Sequence, residues 1–169
     1  HVIVAGATGY LGHFVVKTLQ ARNIPFKAIA RNPEKLEKLG VPKSQIIQAE
    51  VTQPETLTGI FTQGDCVIST VGITRQKDGL TYEEVDYQAN MNLLNEAKRA
   101  GVKQFMYVSV INGRAMRHLA ITKAKERFVD ELIDSGLRYC VVRPNGFFSD
   151  LSDFSDMAKK GKVYLFDKG

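Results

Sequence analysis

Cysteine is scarce: only Cys66 and Cys140 occur in 169 residues, and each sits inside an apolar run. A disulfide framework is therefore excluded, and a chain of this length buries enough surface as one domain to need neither disulfides nor a structural metal. Both thiols read as buried small hydrophobes, so a reducing, cytoplasmic compartment is the expectation. Long hydrophobic runs are also missing. No stretch reaches the roughly 18 apolar residues of a membrane-spanning helix, and the uncharged opening from Val2 to Val16 is interrupted by Gly6, Thr8, Gly9, Gly12 and His13. That opening has no basic leading segment, which argues against a signal peptide. The chain starts without Met, directly in a strand-like run, so residue 1 is not expected to be the native start.

What is present is ordinary for a globular domain: 44% hydrophobic and 24% charged residues exclude disorder, collagen and coiled coil. Lys and Arg outnumber Asp and Glu by 23 to 18, a net +5 that suits an anionic ligand, a nucleic acid or a phospholipid surface without selecting among them. The basic groups around Arg114, Arg117 and His118 and around Lys159, Lys160 and Lys162 lack interleaved aromatics and any recognition motif. Neither nucleic acid nor membrane is an expected partner.

Short apolar runs alternate with amphipathic stretches. Strands are expected at Val2 to Ala5, Phe26 to Ala30, Gln45 to Gln48, Asp65 to Val71, Gln104 to Val110 and Arg138 to Val142. Helices are expected from Tyr10 to Arg22, from Asn32-Pro33 to Gly40, and from a capping box at Thr81–Glu84 to Gly101, with Val85, Ala89, Leu93 and Ala97 on one face. A further helix runs from His118 to Asp134 with Phe128, Leu132 and Ile133 inward. Thr52-Gln53-Pro54-Glu55 has the spacing of a second capping box, opening a short helix. Nearly continuous apolar strands indicate burial on both faces, as in a parallel sheet covered by helices. The expected fold is a doubly wound α/β sheet. Beyond residue 144 the rhythm fades, leaving a weak helix from Leu151 to Lys160 and a short strand from Val163 to Phe166. Phe147, Phe148, Leu151 and Phe154 form an apolar cluster there.

Gly6-Ala7-Thr8-Gly9-Tyr10-Leu11-Gly12 joins the first strand to the first helix, where backbone N–H groups and the positive end of the helix dipole can hold a pyrophosphate. Gly6 permits the tight turn, Gly9 lets the backbone approach a phosphate, and Gly12 lets the helix lie close to the strand. A mononucleotide P-loop is disfavoured because Leu11, Gly12 and His13 stand where Gly-Lys-Ser/Thr is required. At the end of strand two, where an NAD-specific site places Asp or Glu on the ribose, the chain has Ala30-Arg31-Asn32. A guanidinium there can bind a 2′-phosphate bidentately, and Lys35 adds a second cation, so NADP(H) is the expected cofactor.

The glycine loop, Ala30-Arg31-Asn32-Pro33-Glu34-Lys35-Leu36, Val67-Ile68-Ser69-Thr70-Val71-Gly72, and Ser135-Gly136-Leu137 leading into Val142-Arg143-Pro144 together resemble atypical short-chain dehydrogenase/reductases, of the NmrA-like NAD(P)-binding branch. The resemblance implies a Rossmann sheet of order 3-2-1-4-5-6, in which strands four and six are not neighbours, arguing against a Cys66–Cys140 bridge. It implies a cofactor domain over residues 1–146, with residues 147–169 beginning a substrate-side segment that the chain cuts short. It places Val71 and Gly72 beside the adenosine and its ribose, and Ser109 on the nicotinamide side. Glu50-Val51 stands where many relatives have Asp followed by an apolar residue near the adenine.

The departure concerns catalysis. Ordinary reductases of that family use Tyr followed four positions later by Lys, one helical turn apart, so that the ammonium activates the phenol. Lys125 occupies the Lys position, but its partner is Ile121, and Lys123 is preceded by Leu119. Lys125 is the candidate to bind the nicotinamide ribose or to donate a proton itself. The competing reading is a solvated helix face, since Lys123, Lys125 and Arg127 are flanked by Glu126 and Asp130. His118, Tyr82, Tyr87 and Tyr107 are alternative donors that spacing does not separate, Tyr107 reading most simply as core. Two functions compete: an NADPH-dependent reductase of a small quinone, carbonyl or enone, and a non-catalytic NADP(H)-binding regulator acting through a protein partner. Oligomeric state is left open.

Overall fold

The computed structural model describes residues 1–73 and 79–161, so the strand expected at Val163 to Phe166 and the basic Lys162 lie outside the described residues. Six strands, β1 (Val2–Ala5), β2 (Phe26–Ala30), β3 (Ile46–Gln48), β4 (Cys66–Ser69), β5 (Gln104–Val108) and β6 (Tyr139–Val142), form one sheet in the order β3-β2-β1-β4-β5-β6. Every pairing is parallel; Val2, for example, stands between Phe26 and Cys66. This is the Rossmann topology, and its strand order reverses between β1 and β4, which opens a crevice at their carboxyl ends.

Alternation along the strands divides the core into two layers. Ile3 and Ala5 of β1 face one side with Phe105 and Tyr107 of β5, packed against α3 (Asn90–Ala100) and α4 (Ala120–Asp134) through Leu93, Leu94, Phe128 and Leu132. Val4 and Ala28 face the other, against Val16 and Leu19 of α1 (Tyr10–Ala21) and Leu36 of α2 (Glu34–Glu37). Burial of each such side chain stabilises by about 1.5–3 kcal/mol. The expectation of burial on both faces fails at the rim. Tyr139 and Val142 of β6 are 43% and 42% exposed, and β3 has no fully buried residue, because edge strands have one neighbour instead of two. The cysteines are free but only half-buried, and β5 separates their strands.

The two capping boxes part company. At Thr81–Glu84 the bonds are reciprocal: Thr81 N–H donates to Glu84 Oε2 (2.8 Å) and Glu84 N–H to Thr81 Oγ1 (3.2 Å). The helix they open begins with a π-helical segment, Glu83–Ala89, before becoming α3. At Thr52 no cap forms. Its N–H and hydroxyl both donate to Glu50 Oε1 (3.3 and 3.0 Å), a charged acceptor two residues upstream, and Pro54–Leu57 is a single 3-10 turn. The last helix, α5, spans Phe148–Lys159, three residues earlier than its expected start.

Candidate functional site

At Gly6 and Gly12 the glycine loop is held in shape by contacts that admit no larger residue. Gly6 has φ +79°, and a Cβ there would lie 2.6 Å from Thr70 Oγ1, whose hydroxyl donates to the Ala5 and Gly6 carbonyls at 3.1 and 3.2 Å. A Cβ on Gly12 would stand 2.1 Å from the Gly6 carbonyl oxygen, so α1 lies directly on the turn. Gly9 N–H donates to Gly6 O (2.9 Å), and the first bond of α1 runs from His13 N–H to Gly9 O. The N–H groups of Tyr10, Leu11 and Gly12 consequently have no carbonyl inside the helix, and no acidic side chain stands in the first turn. An anion is the partner such a terminus selects.

Two clefts open from this loop. The first, about 330 Å³, is lined by Gly6, Thr8 and Gly9, by Arg31 and Lys35 after β2, and by Val71 and Gly72 after β4. Glu50 and Val51 complete its wall. Glu50 adds what the sequence left in doubt: its Oε2 lies 3.3 Å from Arg31 Nε while Oε1 is fixed by Thr52, so the guanidinium is tethered at the rim although Arg31 is 61% exposed. Asn32 Oδ1 accepts the Glu34 N–H at 3.0 Å, the expected cap that sets α2 and Lys35 beside the same rim.

The second cleft, about 320 Å³, is lined by Gly9, Tyr10, Leu11 and Gly12, by Gly72, by Ser109 after β5, and by Ile121 and Lys125 of α4. Gly9 and Gly72 belong to both clefts, which therefore meet across the loop at the switch point. The residues singled out from the sequence for cofactor binding, together with Lys125 and Ser109, line one or other of these two clefts, whereas of the alternative donors only Tyr82 does so. Tyr82, just ahead of the π-helical segment, also lines the second cleft. His118 is exposed ahead of α4 and lines neither cleft.

The solvated-face reading of Lys125 is overturned. Its side chain is only 12% exposed and its ammonium lies 2.8 Å from Oδ1 of Asp86, which is fully buried. Asp86 Oδ2 accepts the Ile73 N–H at 3.1 Å, and a Cβ on Gly72 would collide with both partners of the ion pair, at 2.7 and 2.8 Å. Asn90, one turn on, donates to Val71 O (3.3 Å) and accepts the Ser69 hydroxyl (2.6 Å). The segment after β4, shared by the two clefts, is thus fastened to the π-helical turn.

Glu126, adjacent to Lys125 in sequence, is equally buried. It receives the Ser109 hydroxyl (2.7 Å) and a two-pronged contact from Arg143, whose Nη2 lies 2.8 Å from Oε2 and whose Nη1 reaches Oε1. Burial alone would raise the Glu126 carboxyl, but the hydrogen bonds from Arg143 and Ser109 and the Arg143 charge hold it below the ordinary carboxylate range. With its proton committed to Glu126, Ser109 Oγ can offer the cleft only an acceptor. Tyr107 is wholly buried, its ring edge-on to Phe128 with centroids 4.6 Å apart and its hydroxyl without a hydrogen-bond partner. Burial, with the Asp86 and Glu126 charges, pushes its phenol far above the usual value. It lines neither cleft, in keeping with the core reading. Asp86, Glu126 and Arg143 escaped the sequence reading because their side-chain partners lie 12 or more positions away and only the fold joins them.

The model of a family described as NAD(P)H-binding matches residues 6–162. The chain is 32% identical over 151 residues to the photosystem II assembly factor Ycf39 of Cyanidium caldarium, covering 89% of this chain and 48% of that protein. It is 31% identical over 182 residues to the chloroplastic divinyl chlorophyllide a 8-vinyl-reductase of Arabidopsis thaliana, covering 98% and 43%. Among solved structures, the NADPH-dependent quinone oxidoreductase QOR2 of Escherichia coli, complexed with NADPH, superposes with a TM-score of 0.70 at 26% identity, over 95% of this chain and 55% of that one. The chain spans about half the length of these relatives.

Proposed function

We propose a function from one premise: the chain belongs to the NAD(P)H-binding family. It is an NADP(H)-dependent oxidoreductase of a small organic acceptor such as a quinone, carbonyl or enone. The observation that carries this reading is the single crevice across the glycine loop, with cations at one end and Lys125 and Ser109 at the other. The residues fit the cofactor: Gly6 and Gly12 let the turn close against Thr70 and α1 lie on the turn, and the N–H groups of the first turn of α1, which have no carbonyl inside the helix, favour an anion. On this reading Gly6, Thr8, Gly9, Tyr10, Leu11 and Gly12 hold the pyrophosphate, Arg31 and Lys35 the 2′-phosphate, Val71 and Gly72 the adenosine and its ribose. Lys125 reaches the nicotinamide ribose with its charge balanced by Asp86. When bound, the cofactor supplies a hydride, two electrons, to the acceptor. Ser109, fixed by Glu126, orients what enters the second cleft. Residues 1–146 then form the cofactor half, and the substrate side begins at residue 147.

A second reading is favoured by one observation, Ile121 at the position of the usual phenol, and is supported by the likeness to the Ycf39 assembly factors. On it the chain binds NADP(H) without turnover and acts through a protein partner. Mixing the full-length protein with NADPH and a panel of quinones and aldehydes, and following absorbance at 340 nm, separates the two. Oxidation of NADPH is the expected result; binding with no oxidation for any acceptor supports the regulator instead.

A further inference from the structure

Resting on the oxidoreductase reading, we propose that Tyr82 is the proton donor, supplying from the cap of the π-helical segment the phenol that α4 lacks. The usual position is held by Ile121, which contributes only an apolar wall to the second cleft. Tyr82 stands in the same wall, half-buried. Asp86, four residues on and inside that segment, draws the Lys125 ammonium to 2.8 Å, so the lysine of α4 is anchored to the segment that Tyr82 caps. A phenol and an ammonium are thereby brought to one cleft from two elements instead of one. Local π-helical turns are frequent at functional sites.

The other described tyrosines are placed for different work. Tyr107 is sealed in the core. Tyr87 contacts Glu131 at 3.5 Å and is covered by the Arg127 guanidinium, 4.0 Å from its ring centroid. Tyr139 lies exposed on the edge strand. Tyr10 lines the cleft at its pyrophosphate end, with its ring packed on Phe14 and Phe147, centroids 5.2 and 5.8 Å away. In the step assigned to Tyr82, a carbonyl acceptor gains a hydride at carbon from the cofactor and the phenolic proton at oxygen. The acceptor becomes an alcohol, the cofactor is left oxidised, and the phenolate is reprotonated from water.

Tyr82→Phe in the full-length protein tests this, with kcat, NADPH affinity by fluorescence titration, and the ¹³Cζ resonances of labelled tyrosine as readouts. The expected result is a kcat loss of about 10²-fold with NADPH affinity within about twofold of wild type. Adding Ile121→Tyr, which restores a phenol at the usual place, should recover part of the rate. The resonance missing from Tyr82→Phe should be one that shifts when NADP⁺ is added to the wild type. An unchanged kcat, an equal loss of NADPH affinity, or a Tyr82 resonance that ignores NADP⁺ overturns the assignment while leaving the oxidoreductase reading in place. A wild type that binds NADPH and reduces nothing overturns both.

Discussion

Glu126 shows what one buried carboxylate can decide. It receives the Ser109 hydroxyl and pairs with the Arg143 guanidinium, so it fixes Ser109 in the wall of the second cleft. Replacing it by Gln leaves Arg143, 27% exposed, without its counter-charge, a loss of about 1–3 kcal/mol, measurable by urea denaturation at neutral pH. Its carboxyl titrates lower in the folded than in the unfolded state, so the associated stability is full above the ordinary Glu range near 4.3 and disappears as pH falls through the lower folded-state value. Wild type should lose stability steeply below about pH 4.5, and Glu126→Gln should lose less over the same interval. No sequence rule flags such a residue: Glu126 sits in a run of alternating charge that reads as solvent-facing, and only Arg143, 17 positions on, turns it inward. The place of Lys125 in the second cleft was legible from its match to the Lys position of the resembled family, whereas its partner Asp86 was not.

At the scale of elements, the crossover from β1 to α1 was the most legible part, because glycine spacing, a strand before it and a helix after it all impose the same geometry. Two of its glycines nevertheless predict different defects. Gly12→Ala pushes a Cβ to 2.1 Å from the Gly6 carbonyl, so α1 must move; a loss of about 1–3 kcal/mol and of cofactor binding is expected. At Gly9 the nearest atom would be 3.2 Å away, a displacement the loop absorbs, so Gly9→Ala should keep nearly the wild-type melting temperature yet weaken NADPH binding. Melting curves and titrations on the two variants check this, and equal melting losses would contradict it. Other elements were less legible for physical reasons. Glu83–Ala89 carries the helical spacing of Val85 and Ala89, and nothing local announces its π turns. The Thr52 box failed because Glu50 outcompeted the helix for its donors. The exposure of β6 depends on its being last in the sheet, a property of topology and not of its own residues.

For the whole molecule, the sheet order brings loops from β1, β2, β4 and β5 to one edge, and the two clefts become one crevice there. A cofactor that fills it stabilises the fold by mass action, about 2.7 kcal/mol at a hundredfold excess over Kd, so NADPH should raise the melting temperature more than NADH. The +5 net charge adds general attraction for a polyanion, and on the proposed reading discrimination rests on Arg31 and Lys35 at the rim. The most direct measurement is a calorimetric titration of the full-length protein and its Arg31→Asp variant with NADPH and with NADH. The account predicts that wild type binds NADPH more tightly than NADH and that the variant reverses the order. A wild type that binds neither at saturating concentration, or that prefers NADH, would contradict it.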